Sequence, residues 1–167
     1  MEMKVLVGGT FAYLHKGHRA LLRKAFELGE PVYIALTSDS FAKHKGNPTK
    51  SFAERKRELK GFAAGFGKRF RIIKIHDKFS FSLRWDLDAI VVSGETYRTA
   101  KEINQIRKSK GLKELRIVKV RYVLAEDKLP ISSSRIRAGK IDAEGRVLRS
   151  SKRSLDRKAR RRSQMAK

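Results

Sequence analysis

Short apolar runs alternate along this chain with longer amphipathic stretches. The apolar runs predict strands at Lys4–Val7, Val32–Leu36, Phe70–Ile75, Ala89–Val92 and Arg116–Val120, with a further strand through Tyr122–Leu124. The amphipathic stretches predict helices at His18–Leu28, Ser51–Phe66 and Thr96–Lys110. In the first helix Leu21, Leu22, Ala25, Phe26 and Leu28 make an apolar stripe for a core, and Arg19, Arg23, Lys24 and Glu27 are left for solvent. Strand and helix in alternation predict an α/β, Rossmann-like fold: a parallel sheet flanked by crossover helices. Ligands of such sheets bind beyond the carboxyl ends of strands, where strand order reverses. Three segments with unusual chemistry fall at strand ends: Gly8–His18, Thr37-Ser38-Asp39 and Ser93-Gly94-Glu95-Thr96.

The first of these is the most informative. Gly8 and Gly9 follow Val5-Leu6-Val7 and lead through Thr10 to His15-Lys16-Gly17-His18, where a helix begins. Paired glycines allow a sharp bend and a close approach to a ligand, and the helix start offers free N–H groups to a phosphate. Imidazoles at His15 and His18 are suited to stabilising charge on a phosphoryl group under attack. Neither a G-x-x-x-x-G-K-[ST] loop nor a G-x-G-x-x-G with its acidic partner is present. No third ligand at convincing spacing accompanies the two histidines, so no resident metal is expected. A second segment, Pro130-Ile131-Ser132-Ser133-Ser134-Arg135-Ile136-Arg137, supplies serines to cap a helix start and face a phosphate, with two permanent positive charges. It reads as a triphosphate clamp, the other half of one site.

Composition narrows the class further. The 167 residues suit one domain, and no apolar run is long enough to span a bilayer, so a soluble intracellular protein is expected. Absence of cysteine excludes thiol catalysis and disulfides. The net charge of +24 is unevenly spread: Ser150–Lys167 carries eight Lys or Arg against one acid. Residues 149–167 therefore read as a basic, disordered tail outside a domain of residues 1–148, and nonspecific nucleic-acid contact is expected of it. It has no aromatic residue on which bases would stack.

Taken together, the chain resembles the nucleotidyltransferases marked by a T/HxGH segment and an ISSTxIR-like segment, and most of all the archaeal phosphopantetheine adenylyltransferases. The resemblance rests on Gly8–Phe11, Leu14–His18, Leu36–Asp39, Glu54-Arg55-Lys56, Val92–Tyr97, Asn104 with Arg107, and Ile131–Arg137, and covers about Met3 to Leu148. It implies transfer of AMP from ATP to 4'-phosphopantetheine, giving dephospho-coenzyme A and pyrophosphate, with magnesium accompanying ATP, in a cytoplasmic and monomeric enzyme. By the same resemblance, His18 and Thr10 would be catalytic. Gly9, Thr10, His15, His18, Glu95, Arg107, Ser132, Ser133, Ser134 and Arg135 would hold ATP. Thr10 and a lysine after the second strand would hold the acceptor phosphate; Lys43, Lys45 and Lys50 compete, with Lys43 favoured. One departure stands out, because Ala12 occupies the position where this family carries aspartate. Alternative acceptors are nicotinamide mononucleotide, flavin mononucleotide or glycerol phosphate. A different class is a catalytically impaired relative that binds nucleic acid.

Overall fold

A computed structural model describes residues 2–44 and 50–149, together with 157, 161, 163 and 164 near the carboxyl end. The elements run β1 (Val5–Gly9), α1 (Lys16–Leu28), β2 (Val32–Thr37), α2 (Asp39–His44), α3 (Phe52–Ala64), β3 (Phe70–Ile75), α4 (Ser80–Arg84), β4 (Ala89–Val92), α5 (Gly94–Ser109), β5 (Arg116–Lys119) and α6 (Ser133–Arg137). The five strands form one parallel sheet in the order β3-β2-β1-β4-β5. The α/β, Rossmann-like expectation is met. All five principal strands and three long helices lie where the pattern puts them, with ends displaced by a few residues at most.

The central strands β1, β2 and β4 are apolar nearly throughout because both sheet faces are covered. Val5, Val7, Val32, Ile34, Leu36 and Val91 pack on one face against Leu22, Ala25 and Phe26 of α1 and Leu59 and Ala63 of α3. Leu6, Tyr33, Ala35, Ile90 and Val92 face the other way, against Ala100 and Ile103 of α5. A third, smaller cluster of Ala125, Ile131, Ile141 and Val147 lies in the carboxyl-terminal part. It is joined to the start of α1 by Lys16 N–H donating to the Ala143 carbonyl at 2.9 Å and by an Arg19–Glu144 ion pair.

The expected strand through Tyr122–Leu124 is absent as a strand. Leu124 instead makes a single antiparallel bridge to Pro130, and Ala125 N–H donates to the Leu129 carbonyl at 2.8 Å, folding the segment back on itself. Two short helices, α2 and α4, span too few residues to show a helical period. The tail expectation falls almost wholly outside the described residues, as does Lys45. Among the described residues no helix is long and apolar enough to cross a membrane.

Candidate active site

β1 lies between β2 and β4, and its chain exit is the point where strand order reverses. A cavity of about 300 Å³ opens there. Its wall comes from the end of β1 and the turn into α1 (Gly9, Thr10, Ala12, His15, His18), the start of α5 (Ser93, Glu95, Thr96), the segment after β5 (Arg121, Tyr122) and the start of α6 (Ser132, Ser133, Ser134, with Arg137). Segments more than one hundred residues apart in sequence thus share one wall.

The loop geometry differs in one respect from its sequence reading. Gly8 and Gly9 do not make the turn; they remain in β1, and a Cβ on them would press on Ala35 at 3.4 Å and on the Phe11 ring at 3.3 Å. The left-handed turn is taken by Phe11, at φ 48°. A non-glycine residue there is strained by the order of 1 kcal/mol. The buried Phe11 ring offsets that cost by packing in the core and lying 5.0 Å from the His18 ring.

His15 is the N-cap of α1. Its Nδ1 accepts from Gly17 N–H at 3.1 Å and His18 N–H at 3.3 Å, which satisfies two otherwise orphaned donors and places the ring proton on Nε2. The His18 ring stacks on it with centroids 3.6 Å apart. His18 Nδ1 lies 2.7 Å from the Tyr13 carbonyl, and a carbonyl only accepts, so Nδ1 carries the proton and Nε2 is left with its lone pair. That assignment rules out donation from His15 N–H to the same nitrogen, 3.5 Å away. Burial pushes His15 down to about 3, helped by His18 and Arg19, and pushes His18 down to about 4 against the opposing pull of the Tyr13 carbonyl. Both rings are neutral at pH 7. The cavity therefore meets one imidazole donor and one imidazole acceptor. A polyanion arriving there would raise both values and favour a proton on His18 Nε2.

Ser132 caps α6, its Oγ accepting from Arg135 N–H at 3.4 Å and lying 3.1 Å from Ser134 Oγ. α5 starts where Ser93 N–H donates to Thr96 Oγ1 at 3.2 Å, which carries Glu95 to the cavity as the one carboxylate on its wall among the described residues.

Two expected triphosphate contacts lie off the cavity wall. Arg107 is buried on the far part of α5, where its Nε donates to the Lys113 carbonyl at 2.6 Å and its Nη1 to the Ser82 carbonyl at 2.5 Å. Together with Asn104, which bonds both backbone groups of Leu115, it fastens α5 to its neighbours. Arg135 turns away from the cavity to pair with Asp127 and to donate to the Pro130 carbonyl at 2.9 Å, bracing the loop before α6. Among the described residues the cations on the wall are instead Arg137 and Arg121. Arg137 is part of the serine segment and was within reach of sequence reasoning. Arg121 stands between two stretches read as strands, and no motif marks it. Lys43 is exposed at the end of α2 and is not on the wall, while Lys50 is paired with Glu58 at 2.5 Å and lies 5.7 Å from the Tyr13 ring. Ala12 is buried and lines the cavity, so no carboxylate stands at that point.

A parallel sheet with this strand order, whose switch point gathers two imidazoles, a threonine and a serine-capped helix start, defines the α/β nucleotidyltransferase class. The chain belongs to the cytidylyltransferase-like family, which matches residues 6–139, and within it to the phosphopantetheine adenylyltransferases. It is 45% identical over 149 residues to the phosphopantetheine adenylyltransferase of Methanosarcina barkeri, covering 86% of this chain and 92% of that one. It is 47% identical over 149 residues to a bifunctional phosphopantetheine adenylyltransferase/NTP phosphatase of Thermoplasma volcanium. There the match covers 88% of this chain but 45% of the relative, so the chain spans about half of that longer protein. The crystal structure of a protein of unknown function from Archaeoglobus fulgidus superposes with a TM-score of 0.67 at 38% identity, covering 71% of this chain and 89% of that one.

Proposed function

We propose that this chain transfers AMP from ATP to 4'-phosphopantetheine, forming dephospho-coenzyme A and pyrophosphate. The observation that carries the reading is the joining of the His15/His18 loop and the Ser132–Ser134 segment in one cavity at the switch point. An oxygen of the acceptor phosphate attacks the α phosphorus as the bond from that phosphorus to the α–β bridging oxygen breaks. Pyrophosphate leaves in line. With no covalent enzyme intermediate, the protein contributes positioning and charge stabilisation. His18 acts at the α phosphate, His15 donates from Nε2, and the hydroxyls of Ser132, Ser133 and Ser134 with Arg137 hold the distal phosphates. Thr10 orients the acceptor phosphate.

Magnesium fits this wall as a companion of ATP. That ion keeps most of its water and is held chiefly by substrate phosphates with one or two carboxylates, and Glu95 is the carboxylate available. When bound it would neutralise phosphate charge. The chain works in this reading as one nucleotidyltransferase unit over residues 1–148, monomeric and cytoplasmic, since its strong positive charge opposes self-association. The basic stretch 149–167 is an accessory, nonspecific contact for nucleic acid.

The test is pyrophosphate release from ATP and magnesium with 4'-phosphopantetheine, nicotinamide mononucleotide, flavin mononucleotide and glycerol phosphate in parallel. Release with 4'-phosphopantetheine alone is expected. Release with another acceptor alone would reassign the substrate, and silence with all four would refute the activity.

A further inference from the structure

Arg55, on α3, is completely buried and does not itself line the cavity. Its Nε donates to the Lys50 carbonyl at 2.9 Å and its Nη2 to Asp39 Oδ1 at 3.0 Å. Its Nη1 reaches three oxygens of the site's foundations: the Thr10 carbonyl at 3.0 Å, the Thr37 carbonyl at 2.9 Å and Thr37 Oγ1 at 3.3 Å. Thr37 is itself fully buried at the end of β2, and its Oγ1 lies 3.2 Å from Thr10 Oγ1.

The direction of this chain of bonds follows from the chemistry of its first member. A guanidinium only donates and is never deprotonated in a protein. Nη1 shares its two hydrogens among three oxygens, the Thr37 hydroxyl accepting the longest of these bonds, and the Thr37 hydroxyl donates its single hydrogen to Thr10 Oγ1. Thr10 is then an acceptor on its buried side. Its own hydrogen is released on the other side, where Thr10 lines the cavity.

We infer that Arg55, acting through Thr37, is a positioning residue that fixes the Thr10 hydroxyl as a hydrogen-bond donor to an anionic substrate oxygen. Without the relay Thr10 is free to present a lone pair instead, which repels a phosphate. The inference rests on the proposed role of Thr10 toward the acceptor phosphate. It goes beyond that role by naming what sets the polarity of the bond.

The experiment is a double-mutant cycle between Thr37→Val and Thr10→Val, with Thr37→Ser as the conservative rescue. Valine keeps the shape and β-branching of Thr37 and leaves Arg55 its bonds to both backbone carbonyls, so folding is retained and is checked by melting temperature. Each variant is read as kcat/KM for 4'-phosphopantetheine and, independently of turnover, as the Kd of that compound by calorimetry, with the Kd of ATP as control. Expected are an about tenfold loss for Thr37→Val, of the size of one hydrogen bond to a charged group, and recovery in Thr37→Ser. No further loss is expected when Thr37→Val is added to Thr10→Val. A loss that simply adds to that of Thr10→Val, or a failure of serine to rescue, overturns the relay. Turnover of the unmodified chain decides the proposed function separately: a chain that binds 4'-phosphopantetheine without turnover loses the activity but still reads the cycle through Kd. A chain that does not bind it at all overturns both.

Discussion

Gly17→Ala sets two effects against each other, and the structure decides between them. Gly17 lies in the first turn of α1 without a positive φ, and helix propensity alone predicts that alanine stabilises by up to about 1 kcal/mol. The added Cβ, however, would stand 2.9 Å from Cε1 and 3.1 Å from Nδ1 of His15. Carbon contacts are comfortable at about 3.5–4.0 Å, so the imidazole has to recede by about 0.6 Å or more. It has no slack for that, because its two cap bonds are already 3.1 and 3.3 Å long and its other face is stacked on His18 at 3.6 Å. Loss of the cap costs about 1 kcal/mol, and leaving two helix-start donors unsatisfied in a largely buried corner costs about 1–2 kcal/mol more. The net expectation is destabilisation by about 1–2 kcal/mol, which for a domain of this size lowers Tm by about 2–8 °C. Because His18 moves with His15, kcat should fall by about ten- to a hundredfold. Differential scanning calorimetry and pyrophosphate release measure both. A rise in Tm with turnover intact would refute the claim that the imidazole stack is wedged over Gly17.

His18→Ala should lower kcat by about 10²–10⁴-fold with little change in the Kd of ATP, as for a contact that strengthens at the transition state; steady-state kinetics with calorimetry would expose an unaltered kcat. Acid should destabilise the protein: both histidines sit below their ordinary 6.5 when folded, so the unfolded chain binds more protons and stability falls as pH drops from about 6.5 toward 4. Between pH 7 and 5 the loss from His18 alone is about 2 kcal/mol, and urea melts that coincide at the two pH values would contradict it. Arg107→Met should cost about 2–4 kcal/mol of stability, through carbonyls left without donors, while KM for ATP is unchanged at a permissive temperature. Arg137→Met should raise KM for ATP, and a raised KM in Arg107→Met with an unchanged one here would return Arg107 to the phosphate site.

The sheet was legible because its central strands are buried on both faces and so appear as unbroken runs such as Val32–Leu36, and α1 because its stripe returns to one core. The serine and histidine segments were legible as chemistry because each combines residue types that packing does not require. Arginine roles were not. Arg55, Arg107, Arg135 and Arg137 are the same letter in similar helical settings, yet three of them hold backbone carbonyls or an acid and one lines the cavity. Which way a guanidinium turns depends on where distant carbonyls such as Thr10, Ser82 and Pro130 come to rest, and that is tertiary information. The Tyr122–Leu124 difference has a similar origin, since a short apolar run serves a bend as well as a strand once Ala125 and Leu129 close it.

The small cluster of Ala125, Ile131, Ile141 and Val147 carries the serine half of the site, and it is built apart from the two cores that hold the sheet. These four side chains, with Val123 and Ile136 half-buried against them, make a much smaller core than the two that hold the sheet, and such a unit is expected to open at lower free energy than the molecule as a whole unfolds. Folding and competence are therefore separable properties of this chain. On the proposed role of Ser132–Ser134, a preparation with native far-ultraviolet dichroism and a sharp main melting transition can still have lost its grip on ATP. Quality control on this enzyme accordingly belongs to amide exchange at residues 125–147 and to ATP binding, rather than to the melting curve.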